Sequence, residues 1–291
     1  MGTVFTGSGV AIITPFKADA IDFVKLGELI EAQIKGGSDA IVICGTTGEA
    51  STMPDEEHLS AIGFAVREVA GRLPVIAGTG SNDTAHAVAL TRKAEALGAD
   101  AVLSVTPYYN KTNQDGLVRH FKAIADSISI PVILYNVPSR TNLNLEPDTL
   151  RSLSEVRNIV GVKECNFAQV PDILGLCGDR FDIYSGEDGL IFPMLAYGAK
   201  GVISAMANLL PREAHDIVSL YMAGDLAGSR ALQLKVTPLV KALFSDVSPM
   251  PLKRAMNMAG MAVGECRLPL TAPTQRAADL LKAEMAAYGL I

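Results

Sequence analysis

Lys163 extends the apolar run Ile159-Val160-Gly161-Val162, an uncommon place for an ammonium group. Period-two alternation sets Ile159, Gly161 and Lys163 on one face of a strand. If that face looks into the protein interior, burial disfavours the charged amine, and a neutral amine can attack a ketone to form an imine. Gly161, one step below, would leave room for a small substrate. The competing reading is a strand-end lysine whose tip reaches solvent or pairs with Glu164. Position alone leaves both open.

The neighbouring strand ends add hydroxyls. Tyr135 ends Pro131-Val132-Ile133-Leu134-Tyr135, and Thr46 and Thr47 lie in Gly45-Thr46-Thr47-Gly48-Glu49. Imine chemistry moves protons on and off a carbinolamine and an enamine carbon, and hydroxyls in series can relay them. Taken singly, Tyr135 reads as a core aromatic and the threonines as turn hydroxyls. Beside Lys163 they favour Schiff-base chemistry. Gly45 and Gly48 suggest a tight loop whose amides face a carboxylate, although the spacing fits neither a phosphate-binding loop nor a dinucleotide fingerprint. Arg140, beyond Pro138, offers a bidentate fork for a substrate carboxylate, with a surface salt bridge as the ordinary alternative.

Other chemistries find less support. His58, His86, His120 and His215 are scattered, with no metal-ligand array among them. None falls at a strand end, so no Ser/His/Asp set assembles. Asp182, Glu187 and Asp188 lie close together, but paired-carboxylate hydrolysis is a less economical reading than the lysine. No metal or organic cofactor is expected.

The elements that must position these residues alternate. Eight short apolar runs (residues 10–13, 40–43, 74–77, 101–104, 131–135, 159–162, 181–184 and 201–204) lack polar alternation, as suits parallel strands covered on both faces. Helical patterns lie between them at 55–70, 83–97 and 114–128, with Asp83-Thr84 as an N-cap. Eight βα units predict a TIM (β/α)8 barrel. A doubly wound sheet is disfavoured because no Gly-x-Gly-x-x-Gly follows the first strand. Helical patterns at 211–223, 227–244, 250–261 and 274–287 follow. The first completes a barrel domain over 1–224, and the rest form a C-terminal helical domain, 225–291, packed on it. In such a barrel the site lies at the carboxyl ends of the strands, where Lys163, Tyr135 and Thr46 all fall.

The 291 residues are 49% hydrophobic and 19% charged, so a large core is available, and a net charge of -6 with no basic stripe argues against nucleic acid. The first residues lack the basic and apolar regions of a signal peptide. The most apolar stretch, 189–211, is broken by glycines, prolines and Lys200, and reads as a helix and a buried strand rather than a membrane span. Cys44, Cys165, Cys177 and Cys266 are widely spaced and suit reduced thiols in the cytoplasm.

The strings Gly45-Thr46-Thr47-Gly48-Glu49, Thr106-Pro107-Tyr108-Tyr109-Asn110, Tyr135-Asn136-Val137-Pro138-Ser139-Arg140-Thr141 and Gly161-Val162-Lys163-Glu164 together resemble the dihydrodipicolinate synthase family, over essentially the whole chain. The resemblance implies condensation of pyruvate with L-aspartate 4-semialdehyde in lysine and diaminopimelate biosynthesis. It implies that Lys163 forms the Schiff base and that Tyr135, Thr46 and Tyr109 relay protons, with Tyr109 reaching in from a neighbouring subunit. Thr46 and Thr47 would hold the pyruvate carboxylate, Arg140 the semialdehyde carboxylate, and Gly186 and Ile203 would line the pocket. A shared relay implies a homo-oligomer, and family members are commonly tetramers built as dimers of dimers. Cys165-Asn166-Phe167 departs from the small residues common there and would reshape the site modestly. Lysine-inhibited members carry a glutamate and a histidine pair in an interface cleft. The matching positions here are His86 for the glutamate and Asp55 for one histidine, with Ala50 where serine is common, while His58, Asn82 and Tyr108 remain. Loss of the acidic group implies weak lysine inhibition or none. Two rivals stay open: an aldolase or lyase acting on a sugar-derived 2-keto acid, disfavoured by the Arg140 loop, and a non-catalytic barrel that binds keto acids.

Overall fold

The computed structural model describes residues 2–291. Eight parallel strands close in chain order: β1 (Gly7–Ala11), β2 (Ala40–Ile43), β3 (Val75–Gly78), β4 (Ala101–Val105), β5 (Val132–Asn136), β6 (Ile159–Glu164), β7 (Asp182–Ser185) and β8 (Gly201–Ser204). β1 pairs with β2 on one side and with β8 on the other, which seals the barrel. This is the (β/α)8 architecture that the alternating runs predict. β1 begins three residues earlier than its apolar run; Ile12 and Ile13 lie past the strand in the core outside the barrel, where Ile13 donates its amide to Asn208.

Alternation explains why these runs carry no polar face. Ala40 and Val42, Ala101 and Leu103, and Ile133 and Tyr135 fill the barrel, while Ile41, Ile43, Val102, Val132 and Leu134 meet the helices outside. Both faces are dry, so both are apolar. The helices at Asp55–Val69, Thr84–Ala96 and Gln114–Ala125 agree with the sequence patterns, and Asp83 caps the second by accepting from the amide of Ala85. Phe23–Gly36, Pro147–Ser154 and Val170–Cys177 are further helices of the ring, which Ile191–Ala196 and Pro211–Met222 complete. Beyond the ring run the helices Leu226–Leu243, Met250–Met258 and Gln275–Tyr288, whose buried residues Leu239, Leu252, Met256 and Leu281 join the same outer core. Among the described residues, no helix is long and apolar enough to cross a membrane.

Candidate active site

Lys163 is the fifth residue of β6 and stands level with Tyr135 on β5. It is only 7% exposed, and its Nζ lies 4.4 Å from the centroid of the Tyr135 ring. Burial lowers the pKa of the amine, against the opposing pull of Cys165, Asp188 and Glu187. Lys163 takes part in none of the salt bridges among the described residues.

The alternative partner faces the other way. Glu164 accepts from Asn136 Nδ2 at 2.8 Å, Gln169 Nε2 at 3.0 Å and the Asn166 amide at 2.6 Å. Burial raises the carboxyl of Glu164 to about 7 despite these donors. Its hydrogen bonds therefore go to Asn136 at the end of β5 and to the loop after β6, and not to the amine.

Two details of the strand differ from simple alternation. The pairing of β5 and β6 shifts register, so that Val132 faces Ile159 but Ile133 faces Gly161. The extra residue, Val160, packs inside the barrel while Ile159 joins the outer core. Ile159 therefore does not share the Lys163 face. Gly161 does, but a Cβ there would stand 2.3 Å from the backbone oxygen of Asp182. Close approach of β7 accounts for this glycine, not substrate room.

The hydroxyls gather at the same end. Tyr135 is 7% exposed, and burial pushes its phenol well above the usual range, while hydrogen bonding with Thr46 pulls it back. The Thr46–Thr47 turn follows β2 and is closed by amides: Gly48 donates to the Gly45 oxygen at 3.1 Å and Glu49 to the Thr46 oxygen at 3.0 Å. Thr46 stands exposed at the barrel mouth, and Thr47 is buried. Ile203 on β8 is buried inside the barrel, and Gly186 follows β7. At Gly186 a Cβ would meet Cys165 Sγ at 2.3 Å, so the cysteine fills the space that the missing side chain leaves.

Arg140 lies in the short turn Pro138–Thr141, exposed, and donates to the Ser248 oxygen at 3.2 Å. Its charge lowers the pKa of both Tyr135 and Lys163. Tyr109 is 92% exposed with φ +68°, so its ring stands clear of its own barrel on a left-handed backbone that side chains rarely adopt.

Three acidic neighbours complete the site. Burial raises the Cys165 thiol to about 12, so it is neutral at ordinary pH. Burial and the charge of Asp188 raise Glu187, while Lys163, Cys165 and Arg140 lower it. Buried Asp188 accepts from the amides of Ala205 and Met206 at 3.1 and 2.8 Å, and its other oxygen has no hydrogen-bond partner. The sequence string Ser185-Gly186-Glu187-Asp188 signals this cluster as a strand end, but not as acidic groups whose charge acts on the amine.

The residues matched to an effector cleft divide. His86 joins Ser81 at 3.0 Å and Asp55 at 2.9 Å, and Asn82 donates to the Tyr108 oxygen at 3.1 Å. These lie together on the rim after β3 and β4. His58 is instead buried with Nε2 2.8 Å from the Gly78 oxygen, and Ala50 sits in the turn after Glu49. Among the described residues no group of three or more His, Cys, Asp or Glu side chains is placed to hold a metal ion.

Comparison with known proteins sets this geometry in context. Residues 4–287 match the dihydrodipicolinate synthetase family. The chain is 58% identical to a 4-hydroxy-tetrahydrodipicolinate synthase of Acetivibrio thermocellus, over 99% of both chains. It is also similar to the crystal structure of dihydrodipicolinate synthase from Aquifex aeolicus, with 45% identity, a TM-score of 0.95, and coverage of 98% of this chain and 99% of that one. A chloride-inhibited dihydrodipicolinate synthase from Acinetobacter baumannii, complexed with pyruvate, is 39% identical with a TM-score of 0.96, over 99% of this chain and all of that one.

Proposed function

This chain belongs to the dihydrodipicolinate synthetase family, and on that premise we propose a division of labour among its residues. It is a class I, Schiff-base lyase that joins pyruvate to L-aspartate 4-semialdehyde, giving 4-hydroxy-tetrahydrodipicolinate on the way to diaminopimelate and lysine. The observation that carries the residue-level reading is a buried amine outside every ion pair, against a tyrosine ring at 4.4 Å.

The Lys163 amine adds to the ketone of pyruvate, and loss of water gives the imine. Removal of a methyl proton gives an enamine, whose carbon attacks the aldehyde of the second substrate. The amine of that substrate then adds to the imine carbon, closes the ring and expels Lys163. Desolvation supports the first step by enlarging the neutral fraction of Lys163. Tyr135 is held as a neutral phenol, so it passes protons through Thr46 rather than acting as a standing phenolate. Thr46 and Thr47 hold the carboxylate of pyruvate, Arg140 that of the semialdehyde, and Gly186 and Ile203 bound the pocket. No metal or organic cofactor enters this scheme.

Tyr109 completes the relay of a neighbouring subunit. Its full exposure and left-handed backbone suit a side chain held for a partner. The assembly is accordingly a homo-oligomer, a tetramer made as a dimer of dimers, working in the cytoplasm. Residues 1–224 form the catalytic barrel and 225–291 the appendage. Lysine inhibits weakly or not at all, because His86, which bonds Asp55, stands where the family resemblance implies a glutamate for the ligand's ammonium. The test of the substrate is a steady-state comparison of the condensation with pyruvate-forming cleavage of sugar-derived 2-keto acids. Condensation should dominate. Faster cleavage would replace this reading with that of a sugar-acid aldolase.

A further inference from the structure

One buried ion pair lies outside the residues assigned above. Glu49 and Lys253 meet at 2.5 Å, with side chains 0% and 1% exposed. The other carboxylate oxygen of Glu49 accepts from the Arg267 amide at 2.9 Å. Lys253 also donates to the Glu265 oxygen at 3.1 Å and lies 4.3 Å from the centre of the Phe16 ring. Arg267 stacks on the same ring at 4.0 Å and forks onto Glu57 at 2.5 and 2.8 Å.

Burying two charges gains little stability over an apolar packing of the same volume, so stability alone is a weak reason for this pair. Its place in the fold suggests another. Glu49 closes the Thr46–Thr47 turn: its amide bonds the Thr46 oxygen, and its backbone is left-handed at φ +58°. Glu57 opens the helix that follows the same loop. The stretch from Glu49 to Glu57 is thus fastened at both ends by residues 253–267, about two hundred positions away in the chain. Ser248, just before Lys253, holds Arg140. One C-terminal segment, residues 248–267, therefore touches Arg140 directly and the Thr46–Thr47 turn by way of Glu49.

We propose that Glu49 and Lys253 are positioning residues, through which the C-terminal segment fixes the Thr46–Thr47 turn at the height needed to grip the carboxylate of pyruvate beside Lys163. This rests on the reading of Lys163 as the imine-forming amine. The Glu49 carboxylate is held on two sides, by the charge of Lys253 against one oxygen and by the Arg267 amide on the other, whereas apolar contact would leave the turn free to rock.

The test is borohydride trapping of the pyruvate imine on the full chain, read as the pyruvate concentration giving half-maximal adduct on the Lys163 peptide. The double variant Glu49→Leu/Lys253→Met removes both charges and leaves neither stranded. It is expected to melt near the wild-type temperature and reach the same final adduct level, but to need about tenfold more pyruvate, the loss of a charge-assisted restraint. Lys253→Arg, which keeps the charge, should recover part of that factor. A folded double variant with wild-type half-saturation overturns the proposal, and so does Lys253→Arg behaving no better than the double variant. Should the double variant not fold, Glu49→Gln decides by the same half-saturation criterion. Failure of the wild type to trap any adduct at Lys163 would instead overturn the underlying mechanism, so the two failures are distinct.

Discussion

Lys163 and Lys253 are both buried, and desolvation lowers the pKa of both amines, yet the protein surrounds them in opposite ways. At the seam between barrel and C-terminal helices, Lys253 has a carboxylate at 2.5 Å, a carbonyl at 3.1 Å and an aromatic face. Inside the barrel, Lys163 has a tyrosine ring and acidic groups that act on it without closing on it as an ion pair. A paired amine is committed to the partner it holds. An unpaired one in a dry pocket remains available as a nucleophile. Burial alone therefore does not mark a reactive lysine; burial without a closed partner does.

The largest effect should come from Lys163→Ala. Removing a nucleophile costs about as much as removing the whole set that serves it, so turnover should fall more than roughly a thousandfold in a coupled steady-state assay. Activity within tenfold of wild type would erase the distinction between the two lysines.

Lys253→Met alone should fail in a different currency. It strands Glu49 as an uncompensated buried charge, which costs about 3–5 kcal/mol in denaturant unfolding. A loss below 1 kcal/mol would show that the pair is less closed than its geometry.

A smaller effect is expected at the mouth. Arg140→Ala should raise the KM for the semialdehyde by about 10–100-fold, the worth of a hydrogen bond to a charged group, with little change for pyruvate. An equal rise for both substrates would mean that Arg140 acts by holding the loop through Ser248.

The subtlest prediction concerns pH. The folded pKa of Lys163 lies below the ordinary lysine value of 10.5, so between those two values the unfolded chain binds more protons and wild-type stability rises with pH. Lys163→Met should therefore be the more stable protein at neutral pH, with an advantage that shrinks as pH climbs through that window. Parallel stability curves for the two proteins would show that the amine is not desolvated in the fold.

Much of this was legible in the sequence because it is periodic or local. Eight apolar runs without a polar face require strands covered on both sides, and strand-end position brings Lys163, Tyr135 and Thr46 to one rim before any coordinate is known. What periodicity misses is irregular or distant. An extra residue at Val160 breaks the alternation below Lys163, and nothing in Ile159-Val160-Gly161 announces that bulge. The reason for Gly161 lies on another strand, at the Asp182 carbonyl. Glu49 and Lys253 are joined only by the fold, and each looks alone like an ordinary surface charge. The helix Phe23–Gly36 carries a regular buried stripe, with Leu26, Leu29, Ile30 and Gln33 inward, and was within reach of the same pattern reading.

The central claim is that Lys163, and not the other buried lysine, carries the reaction. Borohydride reduction in the presence of pyruvate, followed by intact mass and peptide mapping, tests it directly. The account predicts one pyruvate-sized adduct, on the peptide holding Lys163, absent in Lys163→Ala. No adduct, or one on the peptide holding Lys253, would contradict it.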